Sequence, residues 1–414
     1  RACAHFFHRD RIRSKPYFRC RYGNELAGVE ERELLEELSR LLVEAVARRI
    51  ADRPMIYLSL SGGYESAAIL GILASRLGYT DVRCFSYGLD GYAEGSDACC
   101  ARRMASLYGM DHLYLRSYEG DPLEVIELNA ALGEGFAHFC DEATVWPKLQ
   151  GLCGHDAESG ALFVGDNSLY YSNLDSRCPE EALRIVKVHD LTSLSWFSDL
   201  LGTEAFASLR DALAKEIRAV MQRMDGCDVA GGDAEAFFYL DQRLAHVILP
   251  WREFFCGSAM PVRNPILDHA MMDFFMQLPS PLRAGRKLYI ATVREMFPEL
   301  FAIPRASYLN SAPDWRREFF AAREEIVDAV CAERSRLDQV VPPEAVIRLL
   351  DGLGKGDRVA LKDRLNRLGS SITSRLSTMA AGSAGSKGFF SRAHRVDAAE
   401  LLKRLLVLRA FLAR

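Results

Sequence analysis

Met55-Ile56-Tyr57-Leu58-Ser59-Leu60-Ser61-Gly62-Gly63-Tyr64-Glu65-Ser66 joins a β-prone run to a serine–glycine turn, and the apolar residues that follow continue as a helix to Leu77 and Gly78. The step is strand, glycine turn, helix, with Gly78 as the stop. Downstream the cycle repeats: residues 82–87 read as a strand, 96–108 as a helix, 112–115 as a strand and 161–164 as another buried strand. Upstream, residues 29–50 place Leu34, Leu38, Leu41, Leu42, Ala45, Val46 and Ile50 at helical spacing over a charged opposite face. Strands alternating with helices predict an α/β fold, a doubly wound parallel sheet covered on both sides.

Beyond residue 191 the strand signals fade and helices are expected at 204–224, 234–248, 270–278, 288–297 and 315–331. Residues 370–387, rich in Ser, Gly and Ala, read as a linker before a basic amphipathic helix at 397–412. The expected division is a lead-in and helix at 1–50, a catalytic-type core at 51–330 and a helical tail at 331–414.

A chain of 414 residues, 49% hydrophobic and 26% charged, has the balance of a folded protein of about two domains. Its 52 Lys and Arg against 56 Asp and Glu, a formal charge of -4, leave no global basic field for nucleic acid, and no apolar run is long enough to span a bilayer. Eleven cysteines, an odd number without a C-x-x-C pair, read as reduced thiols of a cytoplasmic protein. The sequence opens at Arg1 rather than Met, as a processed chain or a piece of a longer one would.

The Ser61-Gly62-Gly63-Tyr64-Glu65-Ser66 turn lies where a buried strand hands over to a helix, so its amides and the helix N-terminus form a candidate anion cradle. The alternative is a tight turn whose glycines relieve sterics. A Walker A loop is excluded, because no Gly-Lys-Ser/Thr follows.

From this turn onward the chain resembles the synthetase domain of the asparagine synthetase family, in the ATP-pyrophosphatase superfamily, whose loop reads Ser-Gly-Gly-x-Asp-Ser. Phe85-Ser86-Tyr87-Gly88 is similar to the family's second strand end, beside the nucleotide base. Ser96-Asp97 and the segment from Tyr108 to His112 resemble its next helix and strand, and Val164-Gly165-Asp166 falls where the family has Ser-Gly-Glu or Ser-Gly-Asp. Arg263-Asn264-Pro265-Ile266-Leu267-Asp268 and the stretch from Arg286 to Leu300 continue the likeness.

The resemblance implies chemistry in which ATP adenylates a carboxylate, pyrophosphate leaves, and ammonia or an amine attacks. On that reading Leu60, Ser61, Gly62, Gly63, Ser66, Ser86, Tyr87, Gly88 and Gly165 would bind ATP, and Glu65 would also hold Mg²⁺. Asp166 stands at the family's position for the base that takes a proton from the nitrogen, with a plain turn residue as the alternative. The family's magnesium loop has Asp where this chain has Glu65, its second metal carboxylates are replaced by Leu169 and Tyr170, and its Arg-x-Lys segment reads Arg305-Ala306-Ser307. Arg305 or Lys287 is the candidate to supply the missing positive charge, the alternative for each being an ordinary surface or ion-pairing residue.

The expected partners are a small-molecule or peptide carboxylate and an ammonia source, with no nucleic acid or membrane. Only 60 residues precede Ser61, too few for a glutaminase domain within this stretch, so nitrogen is expected as free ammonia, as an amine on the substrate, or as ammonia from a partner or from a domain outside this piece of chain. The acceptor is left open among aspartate, a cyclising substrate and a sugar acid. A nucleotide-binding regulatory or scaffolding protein without catalysis is the second class. His112 and His269 have no ligand partner at metal spacing and read as structural.

Overall fold

The computed structural model describes residues 3–8, 11–16, 21–50, 55–136, 138–154, 159–166, 200–227, 229, 231–307, 312–353 and 398–414. The linker expected at 370–387, and Leu169 and Tyr170, lie outside the described residues.

An antiparallel hairpin of β1 (Cys3–His8) and β2 (Arg11–Pro16) opens the chain. The core is a sheet of β3 (Met55–Ser59), β4 (Val82–Gly88), β5 (His112–Arg116), β6 (Gly160–Phe163) and β7 (Val262–Arg263). Its order is β5-β4-β3-β6-β7 and every pair is parallel. The strands are apolar on both faces because both faces are covered. Ile56, Leu58, Cys84 and Phe163 point to one side, against Leu38, Leu42 and Val46 of α1 (Glu31–Ile50) and Ile69 of α2 (Tyr64–Gly71). Tyr57, Phe85 and Leu162 point to the other, against Val125 of α4 (Pro122–Leu132) and Trp146 and Leu149 of α5 (Val145–Cys153). The doubly wound α/β class is therefore what the chain adopts, with a helical C-terminal part.

Local chemistry sets the helix starts. Ser96 caps α3 (Asp97–Leu107) by accepting from the Cys99 amide, and Asp121 caps α4 by accepting from Leu123 and Glu124. Instead of ending at Gly71, α2 runs on as a π-helical turn, Ile72–Arg76, before Gly78 turns the chain at φ 72°. The expected helix at 315–331 is two helices, Trp315–Ala321 and Arg323–Ala332, with Ala322 leaving helical geometry between them.

The last helix, Ala398–Ala413, lies against α4 and contributes Leu402, Leu405 and Leu406 to the second face's core. Lys403 is nearly buried there, bridging Asp141 at 3.0 Å and Glu400 at 2.7 Å, with its ammonium 4.7 Å from the Phe139 ring centre. Burying a Lys is tolerable because two carboxylates and an aromatic face replace its water. No helix among the described residues is long and apolar enough to cross a membrane.

Candidate nucleotide cleft

Strand order reverses between β3 and β6, since β4 and β5 lie on one side of β3 while β6 and β7 lie on the other. At such a switch point the loops leaving the two central strands diverge and open a crevice at their carboxyl ends. A cleft of about 600 Å³ opens here, between residues 59–66 after β3, Val164, Gly165 and Asp166 after β6, and Ser86 and Tyr87 on β4. Its volume suits a small-molecule ligand.

Two glycines permit this closeness by lacking a side chain. A Cβ on Gly62 would fall 2.8 Å from the Ala306 Cβ, and one on Gly165 would fall 2.7 Å from the Glu65 Cβ. Gly63 is the α2 N-cap at φ -76°, a conformation open to any residue. The glycines thus serve close approach rather than positive φ.

The turn differs from an open cradle. The Ser61 amide donates to Ser66 Oγ at 3.0 Å, the Gly62 amide to Asp97 Oδ1 at 2.7 Å and the Gly63 amide to Ser61 Oγ at 3.1 Å. These amides are committed within the protein, so positive charge for a ligand comes chiefly from side chains. Burial raises the Asp97 pKa, and the Gly62 amide partly opposes that shift.

Arg305 is one such side chain. Its Nη1 donates to the carbonyls of Gly62 and Gly63 at 3.0 and 3.1 Å, and its guanidinium lies 4.1 Å from the Tyr64 ring centre. Its Nη2 is buried without a hydrogen-bond partner, and the guanidinium also lies 4.5 Å from the Phe301 ring centre. Burial lowers its pKa, the signature of a desolvated cation.

Lys287, the other expected cation, is exposed and does not line the cleft. Its neighbour Arg286 does, reaching Glu65 Oε1 with Nη1 at 3.1 Å. Gly285 and Arg286 have φ of 63° and 61°, and this left-handed turn starts the helix Lys287–Met296 with Arg286, not Lys287, aimed at the cleft. A left-handed conformation is costly for a residue with a side chain.

Asp166 is held by Arg252, which the sequence reading did not single out. Arg252 Nε donates to Oδ2 at 2.8 Å and Nη2 to Oδ1 at 3.0 Å, while Asn264 donates to the Asp166 carbonyl at 2.7 Å. The guanidinium is largely buried and stacks 4.2 Å from the Trp251 ring centre. Both carboxylate oxygens are thus engaged, a poor arrangement for a free proton acceptor. Glu142, also unanticipated, lines the same cleft within hydrogen-bond reach of Tyr87. Burial foremost, then Asp141 beside it, pushes its pKa up to about 7.

Behind the cleft, Ser86 Oγ donates to the Leu60 carbonyl at 2.5 Å and lies 2.8 Å from His112 Nε2. With its own proton committed, Ser86 accepts from Nε2, which assigns the proton of His112 to that nitrogen. Burial lowers the His112 pKa to about 4, with Arg102 nearby adding to the shift, so the ring is a neutral brace. Gly88 ends β4 behind the cleft, its carbonyl taking the Ser117 amide at 2.9 Å, and does not line it.

A switch-point cleft walled by a serine–glycine turn, three arginines and four carboxylates defines the class: an α/β protein with a candidate small-molecule site at the carboxyl ends of its central strands. Residues 37–146, from α1 to the start of α5, match the family described as asparagine synthase. A stretch of 99 residues is 35% identical to a probable asparagine synthetase [glutamine-hydrolyzing] of Acanthamoeba polyphaga mimivirus, covering 24% of this chain and 16% of that protein. Another of 116 residues is 27% identical to amidase chyE of Penicillium rubens, covering 25% of this chain and 17% of that protein. The chain thus spans about a sixth of the length of these curated relatives.

Proposed function

We propose that the protein is an asparagine-synthetase-like amide-forming ligase that binds ATP in the switch-point cleft, adenylates a carboxylate with loss of pyrophosphate, and passes the acyl group to ammonia or an amine. The observation that carries this reading is Arg305: a desolvated guanidinium with Nη2 unpartnered, beside the turn that the family match covers. Arg305 is partly buried and is held only by backbone carbonyls and aromatic faces, so an anionic polyphosphate would supply the charge partner it lacks.

In this reading Arg305 and the hydroxyls of Ser61 and Ser66 receive the phosphates that leave as pyrophosphate, with attraction growing as charge develops on the leaving oxygen. Ser86 and Tyr87, at the end of β4, border the nucleotide's remaining part. Asp166 is assigned to orienting Arg252 rather than to free proton transfer. The carboxylate is a small molecule or a peptide side chain, and nitrogen arrives as ammonia, as an amine on the substrate, or from a separate glutaminase. We place this activity in a reducing, cytoplasmic setting on the strength of the cysteine pattern.

ATP–pyrophosphate exchange measured across a panel of carboxylic acids is the test. Exchange dependent on one class of acid is expected, and is lost in Arg305→Ala. A second reading, a nucleotide-binding regulatory protein that forms no amide, is favoured by the Asp166–Arg252 pair; it predicts ATP binding with no exchange for any acid.

A further inference from the structure

The family resemblance brings magnesium with it, and the cleft can be tested for a place to put the ion. Magnesium takes hard oxygen ligands, commonly one or two carboxylates together with phosphates and water. Four carboxylates line the cleft, and each already has a protein partner, Asp166 at both oxygens and Glu65 and Asp97 at one. Glu65 pairs with Arg286, Asp166 is gripped at both oxygens by Arg252, Asp97 accepts from the Gly62 amide, and Glu142 is desolvated beside Tyr87. Among the described residues no three acidic, His or Cys side chains converge as a metal site. An ion on Glu65 would face the Arg286 guanidinium, 3.1 Å from the same carboxylate, and the two positive charges repel. These residues do not fit magnesium.

Two guanidinium groups reach the same turn, that of Arg286 shared with Glu65 and that of Arg305 without a carboxylate partner at Nη2. Arg286 and Arg305 both border the serine–glycine turn, and both stack on Tyr64, at 5.6 and 4.1 Å from its ring centre. The left-handed turn at Gly285 and Arg286 is the backbone device that brings the first of them in. Guanidinium groups suit phosphate because their planar forks give paired charge-assisted hydrogen bonds.

We propose that the cleft binds a nucleotide polyphosphate without a divalent cation, Arg305 and Arg286 taking the place of the metal. The inference rests on the reading of the cleft as a nucleotide site and goes beyond it in naming the charge carrier. It requires that the metal-free tetra-anion of ATP bind about as well as the magnesium complex, and that Arg286 be the reason.

The experiment is calorimetric titration of the full chain with ATP, once in EDTA and once with excess magnesium chloride. Expected is a dissociation constant in EDTA within about threefold of that with magnesium. Arg305→Ala should weaken both by roughly ten- to a hundredfold, with circular dichroism confirming the fold. Arg286→Ala should weaken binding in EDTA and release Glu65, so that magnesium now restores affinity; Arg286→Lys should stay nearer the wild-type pattern. ATP bound only with magnesium would overturn the inference while leaving the nucleotide site in place. No ATP bound under either condition would overturn the inference and the nucleotide reading together.

Discussion

Asp166 and Arg252 are 86 positions apart in the chain and meet through two hydrogen bonds of 2.8 and 3.0 Å. The pair ties the end of β6 to the helical region before β7, and the two residues are energetically dependent on each other. Removing either partner strands a largely buried charge, at a cost of about 3 kcal/mol, whereas removing both should cost less than the two losses added. Urea unfolding of Asp166→Asn, Arg252→Gln and the double variant tests this. Additive losses would show that the two do not act as a unit.

The glycines should rank by closeness rather than by conformation. Gly165→Ala must push a Cβ into Glu65 and Gly62→Ala one into Ala306, while Gly63→Ala meets Ser61 Oγ at 3.0 Å and Glu65 Oε2 at an ordinary 3.6 Å. The first two should lose about 1–3 kcal/mol of stability and distort the cleft, with Gly63→Ala milder. Thermal melts and ATP titration of the three variants would reveal the order, and a Gly63 variant worse than Gly165→Ala would contradict it.

Glu142 predicts a fall of stability toward neutral pH. Its pKa rises from 4.5 to about 7 on folding, so the protonated form is held by the native state and the advantage is complete below 4.5. As pH climbs to about 7, the unfolded chain ionises first and roughly 2–3 kcal/mol is lost. Glu142→Gln should flatten this limb of the stability profile, as measured by denaturant unfolding at a series of pH values.

His112 acts on the opposite side. Its pKa drops from 6.5 to about 4 on folding, so its stabilisation is full above 6.5 and is lost as pH falls through about 4. The expected loss is roughly 3 kcal/mol. An NMR titration of the ring should find it neutral, protonated on Nε2, at pH values where an exposed histidine has already charged; a normal midpoint would contradict the brace.

The core was legible because Ile56, Leu58, Cys84 and Phe163 belong to strands buried on both faces, where apolar runs bounded by glycine and polar residues leave few alternatives. Two-residue β7 has no periodicity to detect, and the β1–β2 hairpin carries no turn signal of the usual kind. The turn after β3 was placed correctly, yet its amide bonds depend on Asp97 and on the Ser61 and Ser66 hydroxyls, a matter of angles rather than spacing. Arg286 was passed over for the adjacent Lys287 because only a left-handed turn decides which of the two faces inward. Arg252 and Glu142 lie far from the recognisable motif, and only the folded chain brings them to it.

The last helix gives Lys403 to Asp141, the direct neighbour of Glu142 in the cleft wall. Leu402, Leu405 and Leu406 meanwhile share a core with Trp146, at the far border of the stretch matched to the family. The borders of recognisable ancestry and the borders of the cooperative unit therefore fall in different places. A shortened version cut to residues 37–146, or ended before the final helix, would expose a hydrophobic face and take Lys403 from Asp141 beside the site, so its behaviour would report on the amputation rather than on the recognisable stretch.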